Sequence, residues 1–269
     1  MARRILESSA ELAALSARRI LVVDGAMGTA LQDAELVAED FGGEELDGCN
    51  ENLVFTRPDV VRTVHRRYLE AGADIVETNT FGATPLVLAE YGLESRAEEI
   101  NRVAAELARV EVDAVRAADG RPRFVAGSMG PTTRAITVTG GVTFDELVEN
   151  FRVQARGLIA GGVDLLLVET QQDTRNAKAA TLGIAQAAQE ADLRLPLMLS
   201  GTIEPMGTML AGQTAEAFVA STTHARLLAV GLNCATGPEF MTDHIRTVHE
   251  MASCAVACYP NAGLPDEDG

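Results

Sequence analysis

Short apolar runs alternate with longer amphipathic stretches along the whole chain. The runs are ILVVDG (20–25), DIVETNT (74–80), FVAGSMG (124–130), DLLLVET (164–170), PLMLSGT (196–202), LLAVGLNC (227–234) and CAVACYPNAG (254–263). They are rich in Val, Ile and Leu and alternate little between apolar and polar positions. Strands of a parallel sheet read this way, because helices cover both of its faces. The stretches between them carry helical spacing. Residues 58–71 place Val60, Val61, Val64 and Leu69 near one helical face and start with Pro58 at a first helical position. Residues 143–160 begin with Thr143 and have Glu146 three residues on, the spacing of a capping box. Gly72 and the pair Gly161–Gly162 supply the stops.

Repeated strand–helix units of this size predict an α/β fold with a parallel sheet. Polar residues gather at the C-terminal ends of the runs: Asp24, Glu77, Glu169 and Asn233. An open doubly wound sheet also binds ligands at strand C-termini, but at one switch point. Here nearly every strand end carries a polar group, which favours a (β/α)8 TIM barrel, whose chemistry sits on that face. Seven runs fall one short of the eight strands required. The ending NAGLPDEDG has a loop-like composition. The expectation is therefore one domain over residues 1–269, a TIM barrel without its eighth strand and the helix after it, ending early at its C-terminus.

Composition narrows the function. The 269 residues are 47% hydrophobic, ample for one core. The formal net charge of −17 repels phosphate backbones and anionic membranes, so neither nucleic acid nor membrane is an expected partner. No apolar run is long enough to span a bilayer. The opening MARRILESSAELAALSARR has Glu7 and Glu11 inside its apolar part, which fits an amphipathic helix better than a secretory signal. The expected location is the cytoplasm. The four cysteines, Cys49, Cys234, Cys254 and Cys258, show no zinc-finger spacing and are expected as thiols. On a strand, Cys254 and Cys258 would share a face about 13 Å apart, too far for one metal, and read as small core residues.

The chemistry-bearing stretches are each ambiguous alone. In DGAMGT (24–29), glycines let backbone N–H groups approach a carboxylate or phosphate, and Asp24 has the charge to hold an ammonium. A tight strand-to-helix turn accounts for the stretch equally well. No nucleotide-binding glycine pattern is present. ETNTF (77–81) and Glu169–Thr170 each put a carboxylate and a hydroxyl at a strand end, suited to an α-amino group or to acid–base work, though capping and solvation explain each separately. GLNCATGP (231–238) puts Asn233 and Cys234 at a strand end, where a thiolate can ligate zinc. A lone cysteine is more often a small apolar residue. His65, His224, His244 and His249 fall in helical segments and read as surface or packing residues. Lys178, the only lysine, lies in a helix, which argues against a Schiff-base aldolase.

Together, ILVVDGAMGTALQ, GCNENLVFTRPDVVRTVHRRYLEAGADIVETNTFGAT, GSMGPT, ITVTGGVTFDELVENF, ETQQDTRNAKAA, SGTIEPMGTMLAGQTAEAF, GLNCATGP and YPNAGLP run in family order over most of the chain. The combination resembles the homocysteine S-methyltransferase family, and within it the N-terminal homocysteine-binding module of cobalamin-dependent methionine synthases. The resemblance implies a (β/α)8 barrel and zinc held by three cysteines. Cys234 matches the first. The other two, adjacent on the eighth strand of the family, have no counterpart in this chain. It implies methyl transfer from methylcobalamin, bound by another module, to the thiol of L-homocysteine. The family's substrate contacts fall on Asp24 and Glu169 for the ammonium and on Gly25, Ala26 and Thr78 for the carboxylate, with Asn233 beside Cys234. Asn261 matches a position near the metal, able to fill its open site. Folate- and cobalamin-binding modules of the same protein are the implied partners. Two other readings remain: a free-standing homocysteine methyltransferase using a sulfonium or betaine donor, and a fragment that binds an amino acid without a complete zinc site. A different TIM-barrel enzyme with a carboxylate pair stands only apart from the resemblance.

Overall fold

The computed structural model describes residues 2–262. Six strands form one parallel sheet in sequence order: β1 Ile75–Glu77, β2 Phe124–Met129, β3 Leu165–Gln171, β4 Leu197–Gly201, β5 Ala229–Asn233 and β6 Ala255–Tyr259. The longer helices are α1 Ala2–Ser16, α2 Pro58–Ala71, α3 Ala97–Asp119, α4 Phe144–Gly161, α5 Thr174–Glu190, α6 Ala215–Thr222 and α7 Pro238–Met251. From α2 onward, helix and strand alternate strictly. The sheet curls into a half-barrel, a TIM-type barrel without its last strands.

Local signals in the sequence explain the helix ends. Pro58 opens α2, and Gly72 ends it in the left-handed conformation. At the start of α4, Thr143 Oγ1 accepts from the Glu146 backbone N–H at 3.3 Å, while Glu146 Oε2 accepts from the Thr143 N–H at 2.7 Å. The amphipathic N-terminal segment forms α1 as expected.

Parity along each strand sorts side chains into two cores. Ile75, Phe124, Ala126, Leu165, Leu167, Met198 and Ala229 point into the barrel and pack together. Their neighbours Val76, Val125, Leu166, Val168, Leu199 and Val230 point outward and pack with helix residues such as Phe151, Leu158 and Phe218. Helix α1 closes the barrel floor. Its Leu12 is fully buried against the inner cluster, and Ser8 Oγ donates to Asp164 Oδ1 at 2.7 Å.

The run 20–25 departs from expectation. It is not a regular strand: Val23 makes one parallel bridge to Ile75. Ile20 is 90% exposed and Val22 55%. In a closed barrel this run would have a neighbour on each side; among the described residues it has only β1, so half of its ladder has no partner. Strand β6 lies at the other open edge. That edge also corrects the reading of Cys254 and Cys258 as core residues: Cys254 is half-buried and Cys258 exposed. The expected loop-like tail over 261–269 falls almost wholly outside the described residues.

Candidate active site

Inward parity continues to the strand ends, and there the apolar lining turns polar. Glu77 follows Ile75 on the inner face of β1, and Ser128 follows Phe124 and Ala126 on β2. Glu169 follows Leu165 and Leu167 on β3, and Ser200 follows Met198 on β4. Asn233 and Tyr259 sit opposite one another in the register of β5 and β6. One register irregularity sharpens the arrangement. Between β3 and β4 the pairing steps from Val168–Leu199 to Gln171–Gly201, so β3 carries an extra residue at the Glu169–Thr170 position. Such bulges re-aim side chains beside functional sites.

Three carboxylates meet at this end. Asp24 accepts from the Glu77 backbone N–H with both oxygens, at 2.9 and 3.1 Å. Glu169 Oε1 accepts from Ser128 Oγ at 2.5 Å, and its Oε2 accepts from Tyr259 OH at 3.4 Å. The side chains of Glu77 and Glu169 are close neighbours, and each raises the cost of charging the other, since both are acceptors when ionised. Glu77 Oε1 is sealed from solvent with no donor in reach, while the rest of the residue keeps some exposure.

The electrostatics follow from burial without a counter-ion. Desolvation pushes the carboxyls of Asp24 and Glu77 well above the usual carboxylate range and raises that of Glu169. The charge of Glu169 adds to the rise at both Asp24 and Glu77. No arginine, lysine or histidine of the described residues offsets any of the three. Burial, then the nearby Glu169 and Glu77, also hold the Tyr259 phenol well above its ordinary value.

Asn233, fully buried, organises the next strand end. Its Nδ2 donates to Thr170 Oγ1 at 2.8 Å and to Cys234 Sγ at 3.1 Å. Its Oδ1 accepts from the Thr170 N–H at 3.0 Å and from Ser200 Oγ at 2.6 Å. The whole amide is engaged with protein, which makes Asn233 a brace for Cys234. Burial raises the Cys234 thiol, more than the Asn233 hydrogen bond lowers it. Cys234 therefore stays protonated at neutral pH in this environment. Asn261 is brought to the same turn, its N–H donating to Thr236 O at 3.2 Å.

Thr78, the residue after Glu77, is likewise engaged. Its hydroxyl accepts from the Ser128 N–H at 3.0 Å and pairs at 2.6 Å with Thr80, whose own hydroxyl donates to Ser128 O. Gly25 and Ala26 border open space: a side chain at Gly25 would meet nothing within 4 Å. Ala26, Thr170, Cys234 and Ala235 all have φ between 45° and 57°, in the left-handed region that non-glycine residues seldom occupy. Strain of about 1–3 kcal/mol per residue persists where the surroundings enforce it, and here it clusters at the strand ends.

Sequence reading singled out Asp24, Glu77, Glu169, Asn233 and Cys234, and the structure brings them together. It missed Ser128, Ser200 and Tyr259 as site residues. Their inward parity at strand ends was the available signal. Among the histidines, His65 is buried in α2, while His224 lies in the turn after α6 and not in a helix. A wide apolar groove of about 1060 Å³ runs along the outer side of α5, lined by Leu182, Leu195 and Ala225, but none of the strand-end acids borders it.

The donor set falls short of a zinc centre. Among the described residues, no three His, Cys, Asp or Glu side chains are arranged to hold a metal ion. Cys234 is the thiol at the cleft. Cys49 is buried in a separate cluster with Val54 and Leu88. Cys258 lies beside Met241, its Sγ 3.5 Å from the Met241 Sδ.

The sequence model of the homocysteine S-methyltransferase family matches residues 21–269. The fold is also that of the homocysteine methyltransferase MmuM from Escherichia coli. Its oxidized form superposes with a TM-score of 0.79 at 25% identity, over 94% of this chain and 86% of that one. Its metallated form gives 0.78 at 24% identity, over 93% and 86%. Its apo form gives 0.73 at 24% identity, over 93% and 85%. Helix α1 lies ahead of the residues that the family model matches.

Proposed function

Because the chain belongs to the homocysteine S-methyltransferase family, we propose that its strand-end cleft binds L-homocysteine and orients its thiol for methyl transfer, giving methionine. The observation that carries this reading is the convergence of Asp24, Glu169 and Cys234 from three separate parts of the sheet onto one cleft. Two buried carboxylates without a counter-ion are arranged for an ammonium, whose charge offsets their mutual repulsion. The open turn at Gly25 and Ala26 offers backbone N–H groups to the substrate carboxylate, and Thr78 braces the strand end below it. Cys234 marks the side toward which the substrate sulfur extends.

The transfer forms a bond between the substrate sulfur and the methyl carbon, breaks the bond from methyl to donor, and releases the thiol proton. A thiolate is the competent nucleophile. The family's zinc would lower the thiol's pKa when bound. Cys234 is one soft ligand of the kind zinc prefers, with Asn261 beside it, but the described residues do not complete such a site. What this chain's own residues supply is capture of the amino-acid end and alignment of the sulfur.

The finer reading is the homocysteine-activating module of a cobalamin-dependent methionine synthase, with methylcobalamin delivered by another module of the same protein, in the cytoplasm. The stretches NAKAA and SGTIEPMGTMLAGQT support it. A free-standing enzyme using a sulfonium or betaine donor is the second reading, favoured by the fold shared with MmuM. Methionine formation, followed by mass spectrometry with zinc, L-homocysteine and each donor in turn, separates them. Turnover with methylcobalamin alone upholds the first, turnover with a sulfonium or betaine the second. Absence of L-homocysteine binding by calorimetry overturns both.

A further inference from the structure

Two carboxylates suffice to explain why an ammonium enters the cleft, yet the structure holds three. Glu77 stands on the inner face of β1, between Asp24, which its own N–H anchors, and Glu169, which it faces across the cleft. Its Oε1 is buried and has no donor. A buried acceptor left unpaired costs about 1–3 kcal/mol, and a second acceptor opposite it makes the position worse. Among the described residues, no cation figures in the causes of its raised carboxyl. What the geometry lacks is a compact group that donates in several directions and carries positive charge. A primary ammonium does both: it has three N–H donors, and three carboxylates surround the place.

We infer that Glu77 is a third ligand of the substrate's α-ammonium, completing with Asp24 and Glu169 a three-carboxylate cage that selects an amino acid over its des-amino counterpart. This rests on the amino-acid-binding reading above and deepens it. Glu77 is tied to Asp24 through its backbone, and its side chain neighbours that of Glu169, so the three acids gather at one place. The cage discriminates because a ligand without the ammonium leaves three acids unrelieved.

The test uses Glu77→Gln in the full chain. Glutamine keeps the shape and offers an N–H to Glu169, so the fold is retained while the negative charge is lost. Affinities for L-homocysteine, L-methionine and 4-mercaptobutyrate are measured by calorimetry for wild type, Glu77→Gln and Asp24→Asn. The expected result is a loss of about 10- to 100-fold for both amino acids in Glu77→Gln, the size of a charge-assisted hydrogen bond, with 4-mercaptobutyrate bound as well as before or better. Unchanged amino-acid affinity in Glu77→Gln overturns the inference. If Asp24→Asn loses affinity in the same series, the amino-acid-binding reading survives that failure. Equal loss of all three ligands in Glu77→Gln assigns the residue a structural role and also overturns it. Failure of the wild type to bind either amino acid removes the underlying reading, and the inference with it.

Discussion

The backbone N–H of Glu77 donates to both carboxylate oxygens of Asp24, at 2.9 and 3.1 Å. The first run makes only one bridge to the sheet, through Val23 and Ile75, and this side-chain clamp extends that attachment by one residue. The same contact holds two of the three acids of the cleft in fixed relation. An element that is weak as a strand is thus secured at the point where the site needs it.

Stability should fall as pH rises. Burial raises the carboxyls of Asp24, Glu77 and Glu169 in the folded state. A group whose folded pKa lies above its unfolded value, about 4 for these acids, binds its proton more tightly when folded. Its stabilising contribution is present below about pH 4 and is lost as pH rises through the elevated folded values. The melting temperature of the ligand-free protein is expected to decline across that window. Glu77→Gln should flatten the decline and melt higher than wild type at pH 8. Differential scanning fluorimetry over a pH series checks this, and a steeper decline in the variant would contradict it.

His65 should act in the opposite direction. It is fully buried in α2, neither ring nitrogen has a partner, and burial lowers its pKa from 6.5 to about 4, against a smaller upward pull from Glu111. The stabilising effect of the neutral ring is present above pH 6.5 and is lost as pH falls through about 4, a loss of about 3 kcal/mol when complete. His65→Leu is expected to remove that acid-side loss. Urea unfolding at pH 7 and pH 4.5 measures it: the difference between the two pH values should shrink in the variant.

Asp164 joins the floor of the barrel to its wall. Its carboxylate accepts from Ser8 of α1 at 2.7 Å and from the Val125 N–H of β2 at 2.8 Å, and it pairs with Arg109 of α3. Its side chain is 2% exposed and that of Arg109 13%. Asp164→Ala takes the nearest carboxylate from a largely buried guanidinium, leaving it only the longer contacts to Asp113 at 3.5 Å and Gly162 O at 3.1 Å, and is expected to cost about 3 kcal/mol. Hydrogen exchange should show α1 losing protection before the sheet does. Loss of protection spread evenly over the sheet would argue against this role.

Much of the fold was legible in the sequence. Six of the seven apolar runs form strands, and Pro58, Gly72 and the Thr143–Glu146 box set helix ends where their local chemistry places them. These signals act between residues a few positions apart, so they survive without knowledge of the tertiary fold. The first run misled because only Val23 of it bridges to the sheet, and composition does not report how much of a run finds a partner.

For the site, the sequence by itself determined which strand ends are polar: Asp24, Glu77, Glu169, Asn233 and Cys234 stand out because each closes an apolar run. Only the tertiary structure decided that three of these are acids sharing one cleft, and that Asn233 spends its amide on Thr170, Ser200 and Cys234. It alone brought in Ser128 and Tyr259 as the donors to Glu169. The physical reason is that these contacts join residues from different strands. Their meeting depends on the curl of the sheet, on the register of each pair and on the one-residue bulge beside Glu169, all of which are set by long-range pairing and not by local preference.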